Sequence, residues 1–247
     1  MFENAKIRCS ALGNLMTEPK AASDKASGAL SATAKTSLLE VYVKEIYGRE
    51  KDIQTKPMKK GTLVEDDSIT TLSMYDGKIY QKNEKRYENE FVIGTPDIVD
   101  SSFEDNDTAT YGKVVDIKSS YDLWTFLANV DSKIDKGYWW QLQGYMWLTG
   151  LKMAELVYVL SNMPEEMILQ EKYYLLKRMN VISEESPEYI KAAAELEKRL
   201  KFDDIPVSQR VIKLSFGADE AAFDFIESKV KAARIELERF HNLRFPK

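Results

Sequence analysis

Between residues 37 and 48, Leu38, Leu39, Tyr42 and Ile46 recur at the spacing that places them on one face of a helix. Ser37 and Glu40 have capping-box spacing, and Gly48 is suited to close the helix. The stretch before it, "PKAASDKASGALSATAKT" at 19–36, is small, polar and weakly patterned, which predicts a loop. A second helix is expected from about Gly61 to Tyr75, with Leu63, Ile69 and Leu72 inward. Strand-like runs follow: "GKIYQK" at 77–82, "EFVIGTPDIVD" at 90–100 and "GKVVDIKSS" at 112–120. The acidic, turn-rich "SSFEDNDTATYG" between the last two predicts a hairpin.

Helical spacing returns at 137–149, "GYWWQLQGYMWLT", with Tyr138, Leu142, Tyr145 and Trp147 or Leu148 available for packing. "AELVYVLS" at 154–161 and "EKYYLLK" at 171–177 read as strands. Residues 184–201 read as a charged helix begun by Ser186 and Pro187, "QRVIKLSF" at 209–216 as a strand, and 218–240 as a long amphipathic helix. No internal repeat is present. This order predicts one α/β domain over 1–247, a mixed sheet flanked by helices.

Composition narrows the chemistry. The chain is 44% hydrophobic and 11% aromatic, which is ordinary for a well-cored globular protein. Its start carries no long apolar stretch after a basic segment, and no apolar run approaches a bilayer's thickness, so an intracellular protein without a membrane partner is expected. A single cysteine, Cys9, excludes an internal disulfide and any four-cysteine cluster. A single histidine, His241, near the C-terminus, makes histidine-based zinc sites and Ser-His-Asp triads poor expectations. Acid–base and metal chemistry, if present, falls to carboxylates and lysines, which favour magnesium or manganese. The net charge of −5 argues against a non-specific nucleic-acid coat while allowing a local basic surface. The groupings "KPMKKG" at 56–61 and "KNEKR" at 82–86 read as solvated faces.

Against this background "GKVVDIKSS" stands out. On a strand, Val115 and Ile117 point one way while Asp116 and Lys118 point the other. Alone, the two charges read as an exposed pair. Upstream, "GTPDIVD" places Asp97 after a Gly-Thr-Pro kink, where a hairpin can bring it beside Asp116; the alternative is a turn aspartate capping its own backbone. "KKGTLVEDD" sets Glu65 on the helix before the sheet, as a further cation ligand or a solvated acid. "QLQGY" puts Gln141 and Tyr145 on one helix face, where they orient a ligand or Tyr145 simply packs.

The order E…PD…DxK…QxxxY resembles the PD-(D/E)XK nuclease superfamily, within it the RecB-like branch and the phage lambda-type exonucleases, also called YqaJ-type viral recombinases. "IRCSALGNLMT" resembles that family's N-terminal serine motif, "GTLVE" its G-x-x-x-E, and "QLQGYMWLT" its post-catalytic helix. "VIKLSFGADEAAFDFIESKV" also resembles the closing strand and helix. The resemblance implies a restriction-endonuclease-like mixed β-sheet core flanked by α-helices, a catalytic core at about 60–160 and a helical insertion at about 180–208. It implies Mg²⁺, with Mn²⁺ substituting, held by Asp97, Asp116 and the carbonyl of Ile117. Glu65 would hold a second ion or its water. Lys118 would align or deprotonate the attacking water, with Gln141 and Gln143 positioning water or substrate. Ser10 and Thr95 would line a 5′-phosphate pocket, and Tyr145 would help orient phosphate or water. The arginine this pocket requires falls near Glu3, leaving Arg8 as the nearest substitute.

By the same resemblance, the substrate is the end of double-stranded DNA, cut 5′ to 3′ in phage-type recombination in the host cytoplasm. The assembly is a toroidal trimer working with a single-strand annealing protein. The alternatives are a structure- or sequence-specific endonuclease with the same centre, and a catalytically silent DNA-binding protein with this fold.

Overall fold

The computed structural model describes residues 1–52, 54–101, 112–130 and 133–246; most of the expected hairpin loop falls outside them. The chain begins with β1 (Ile7–Arg8), a single 3-10 turn (Cys9–Ala11) and α1 (Leu12–Leu15). Helices α2 (Ala22–Ala26), α3 (Ala32–Tyr47), α4 (Lys56–Leu63) and α5 (Glu65–Asp76) precede four strands: β2 (Tyr87–Glu88), β3 (Val92–Gly94), β4 (Ile98–Asp100) and β5 (Lys113–Ser119). Next come α6 (Leu123–Leu127), α7 (Lys136–Thr149) and β6 (Met153–Val159). The helical pair α8 (Glu165–Met179) and α9 (Pro187–Leu200) leads to β7 (Val211–Gly217) and α10 (Glu220–Arg244).

The strands form two mixed sheets, β1-β3-β2 and β4-β5-β6-β7. In the larger, β5 is antiparallel to β4 and parallel to β6, so the chain must cross over between β5 and β6; α6 and α7 make that crossover. Strand β5 is covered on both faces. Val115 and Ile117 pack with Val157 and Val159 against Ile69 and Leu72 of α5. Val114 and Leu156 join Leu142 of α7 and Ile226 and Val230 of α10 on the other side. The sheet is therefore the middle of three layers, where each fully buried Leu or Val contributes about 1.5–3 kcal/mol. Asp116 and Lys118 share the face of Val114, so their charges lie under α7. Among the described residues no helix is long and apolar enough to cross a membrane.

Several expectations need correction. The helix at the start of α3 is capped by Ser31, whose hydroxyl accepts from the Ala34 N–H, so it begins inside the segment expected to be a loop. Leu39 is exposed, whereas Gly48 ends the helix at φ 61° as expected. The single helix from Gly61 to Tyr75 is two, divided at Val64, and Leu63 is exposed. Residues 77–82 are not a strand: Tyr80 is buried while Ile79 is 88% exposed. "EKYYLLK" lies in α8, because Met167, Ile168 and Leu175 at helical spacing are its buried residues and Tyr173 and Tyr174 face outward. That buried row packs on Tyr189, Ala193 and Leu196 of α9. His241 Nδ1 lies 3.1 Å from the Tyr42 hydroxyl and ties α10 to α3.

Candidate active site

The ladder between β4 and β5 pairs Ile98 with Val115, Val99 with Val114 and Asp100 with Lys113. Continued by one residue, that register sets Asp97 opposite Asp116. The backbone N–H of Ile117 donates to Asp97 Oδ2 at 2.6 Å, so this carboxylate replaces a ladder partner and is held against β5. Asn83 fixes the chain from behind. Its N–H donates to the Asp97 carbonyl (2.8 Å) and its side-chain amide to the Pro96 carbonyl (2.9 Å).

Asp116 is 2% exposed. Gln141 Nε2 donates to its Oδ1 at 2.9 Å and also to the Tyr145 hydroxyl at 3.0 Å. A carboxylate can only accept here, so the Gln141 amide has one orientation. Lys118 Nζ lies 2.6 Å from Asp116 Oδ2, yet not in the alignment of a hydrogen bond, and that buried oxygen has no hydrogen-bond partner. The Lys118 ammonium also sits over the Tyr138 ring, 4.8 Å from its centroid. Tyr145 approaches from beneath only because residue 94 is glycine: a Cβ there would fall 2.6 Å from Tyr145 Cε1.

The electrostatics follow from two acids in one dry site. Burial, with the like charge of Asp116 added, pushes Asp97 up to about 7, against the opposing pull of the Ile117 N–H and Lys118. Burial also raises Asp116, against the opposing Lys118 charge. For Lys118, burial works downward, but Asp116 overcomes it and holds the ammonium above its usual range. Two buried carboxylates side by side, one of them paired only with an ammonium on its second oxygen, are a donor set suited to a hard divalent cation.

Tyr145→Phe tests the positioning chain. Losing the hydroxyl leaves a buried Gln141 N–H unpaired, so turnover at this centre is expected to fall about tenfold with KM little changed, and Tm to fall by about 2–4 °C. Steady-state kinetics beside a thermal melt check this.

No family model matches the sequence, and no curated protein matches it. Solved structures do. A phage-related exonuclease from Haemophilus somnus 129PT is 26% identical, with a TM-score of 0.71 over 97% of this chain and 96% of its own. This chain has the exonuclease fold of the PD-(D/E)XK viral recombinases. An alkaline exonuclease from Laribacter hongkongensis, LHK-Exo, shares the fold at 17% identity and a TM-score of 0.61, covering 96% of this chain and 90% of that one. LHK-Exo in complex with dAMP gives a TM-score of 0.60 at 17% identity, covering 98% and 94%.

Within this exonuclease fold, Asp97, Asp116, Lys118, Gln141 and Tyr145 come together, and Ile117 adjoins them. Other expected residues do not. Glu65, the first residue of α5, pairs with Lys82 at 3.1 Å, and its charge reaches Asp97 only as a minor influence. Among the described residues no three His, Cys, Asp or Glu side chains are grouped to hold a metal, so Glu65 is no part of a three-acid cluster. Gln143 faces away, because two residues along a helix is more than half a turn. It is fully buried, donating to the Gly217 carbonyl and accepting from the Asp219 N–H. Tyr145 is 5% exposed and supports Gln141, which leaves it no surface for phosphate. Arg8 is exposed and pairs with Glu50 at 2.9 Å. Ser10 is exposed on the wall of a cleft shared with Lys118 and Gln141; Thr95 is exposed and not among that cleft's lining residues.

Three contributors were not singled out from sequence for the site. Tyr138 was legible, three residues before Gln141 and so on its helical face. Asn83 and Lys60 had no local signal. Lys60 is fully buried, donating to the carbonyls of Ser120 (2.6 Å) and Tyr121 (3.0 Å) just beyond Lys118.

Proposed function

We propose that the protein is a divalent-metal-dependent exonuclease of double-stranded DNA, acting 5′ to 3′ in phage-type recombination. The observation that carries this reading is the meeting of Asp97 and Asp116 on adjacent strands with Lys118 at 2.6 Å from Asp116. The phage-related and alkaline exonucleases that share this fold support it. A Mg²⁺ ion, or Mn²⁺ in its place, would be held by Asp97, Asp116 and the carbonyl of Ile117. When bound, such an ion offsets charge on the scissile phosphate and makes water a better nucleophile at neutral pH.

The chain's own residues supply the rest. Asp97 and Asp116 are kept close by the β4–β5 register despite their mutual repulsion, so the site is formed before substrate arrives. Lys118 directs an ammonium at the reacting centre, where it steers water and compensates negative charge on the phosphoryl oxygens. Gln141, braced by Tyr145, fixes the Asp116 carboxylate. Glu65 and Lys82 stand at one remove. A ring-shaped homo-oligomer and a single-strand annealing partner belong to the same reading.

The test compares a linear duplex carrying 5′-phosphates with covalently closed circular DNA of the same sequence, both in Mg²⁺. Stepwise release of nucleotides from the linear duplex, with the circle intact, is expected. Cutting of the circle would replace the exonuclease reading with an endonuclease.

A further inference from the structure

Helix α8 buries Met167, Ile168 and Leu175 against α9, and the side of an amphipathic helix that meets only water is expected to be polar. That side of α8 instead carries Tyr173 and Tyr174, 51% and 47% exposed. Steps of four residues draw two parallel rows along it, Leu169–Tyr173–Lys177 and Gln170–Tyr174–Arg178, all six exposed. The two rings stand 5.9 Å apart between centroids. Each has an ammonium over it: Lys177 Nζ lies 4.4 Å from the Tyr173 centroid and Lys56 Nζ 5.6 Å from that of Tyr174.

The charge on this side is mainly positive. The acids of α8 each meet a lysine from another element: Glu165 with Lys201, Glu166 with Lys59 and Glu171 with Lys56. Lys177 and Arg178 are in no ion pair among the described residues. A helix C-terminus favours cations by itself, but it gives no reason for exposed rings beside them. The side also runs on to the reaction centre. Pro57, next to Lys56, lines the cleft of about 770 Å³ beside Lys118 and Gln141, together with Tyr121 and Thr125. Tyr121 in turn packs against the buried residues shared by α8 and α9.

We propose that the Tyr173–Tyr174 face of α8 binds the single strand of DNA that digestion of a duplex leaves unpaired. This rests on the nuclease reading above. An unpaired base offers a flat face to a ring and a phosphate to a nearby cation, whereas a base inside a duplex has both faces already stacked. Lys177 is exposed, so a base can take its place over Tyr173 while the ammonium moves to the phosphate. A polyanion suits a face whose cations lack acid partners better than a second protein surface does.

The experiment measures binding in EDTA at low salt of a blunt duplex and of the same duplex with a 3′ oligothymidine extension or a base-free 3′ extension. Wild type, Y173A/Y174A and Y173F/Y174F are compared. Wild type is expected to bind the thymidine-extended duplex on the order of tenfold tighter than the blunt one, and the base-free extension to give little of that gain. The alanine pair should lose the gain with blunt binding unchanged, and the phenylalanine pair should keep it. Wild type without the preference, an alanine pair that retains it, or equal weakening on every probe overturns the proposal. So does a change in sedimentation of the DNA-free alanine pair, which would make this face an interface between copies of the chain. Absence of wild-type cleavage in Mg²⁺ counts against the nuclease reading alone, because the binding comparison is made without metal.

Discussion

Asp97→Asn is expected to reduce DNA hydrolysis by at least about a thousandfold while making the metal-free protein more stable above neutral pH. The loss of activity follows from removing one of two carboxylates that would hold the cation. The gain in stability follows from linkage. An aspartate's ordinary pKa is 3.8, but Asp97 in the folded chain is pushed up to about 7. Between those values the folded state keeps a proton that the unfolded state has released. Stability therefore falls as pH rises through this window, and the loss is complete above about 7.

Asparagine keeps the shape and still accepts from the Ile117 N–H, while Asp116 keeps Lys118. Thermal melts in EDTA at pH 5 and pH 8 check the claim. The Tm advantage of the variant should be small at pH 5 and largest at pH 8. A lower Tm for the variant at both pH values would mean that Asp97 is not strained.

Lys60→Ala should give the largest loss of stability of the substitutions considered, about 3 kcal/mol. It empties the space of a fully buried four-carbon side chain and strips the Ser120 and Tyr121 carbonyls of their donor. Burial lowers the Lys60 ammonium to about 8 from its ordinary 10.5, with the Asp122 charge working upward. The folded state sheds that proton first, so wild-type stability gains as pH rises from about 8 to 10.5. The gap between wild type and K60A, read from urea melts, should therefore widen from pH 7 to pH 10. Activity should fall as well, since those carbonyls begin the turn that carries Tyr121 and Thr125 along the cleft. A melt that matched wild type at both pH values would rule out this role.

The acidic pair was legible in the sequence because its geometry is local. A hairpin register, the period of a strand and a four-residue helical step together place Asp97, Asp116, Lys118, Gln141 and Tyr145. What was hidden depends on partners distant in the chain. "KPMKKG" reads as a solvated basic face, yet Lys60 finds its carbonyls 60 and 61 residues away. Nothing in "QLQ" says which glutamine faces the sheet, and Gln143 spends its amide on the turn between β7 and α10. The short apolar run of "EKYYLLK" fits either period until α9 supplies a surface for Leu175. Arg8 was chosen by nearness to Ser10 in sequence, but Ser10 follows the turn into the cleft while Arg8 stays outside with Glu50.

The central claim is that two acids, brought side by side by strand register, hold one divalent cation. Counting bound Mn²⁺ by electron paramagnetic resonance in wild type and in the Asp97→Asn/Asp116→Asn double variant tests it most directly. Wild type should bind an ion that the double variant does not. Equal binding by both proteins would contradict the account.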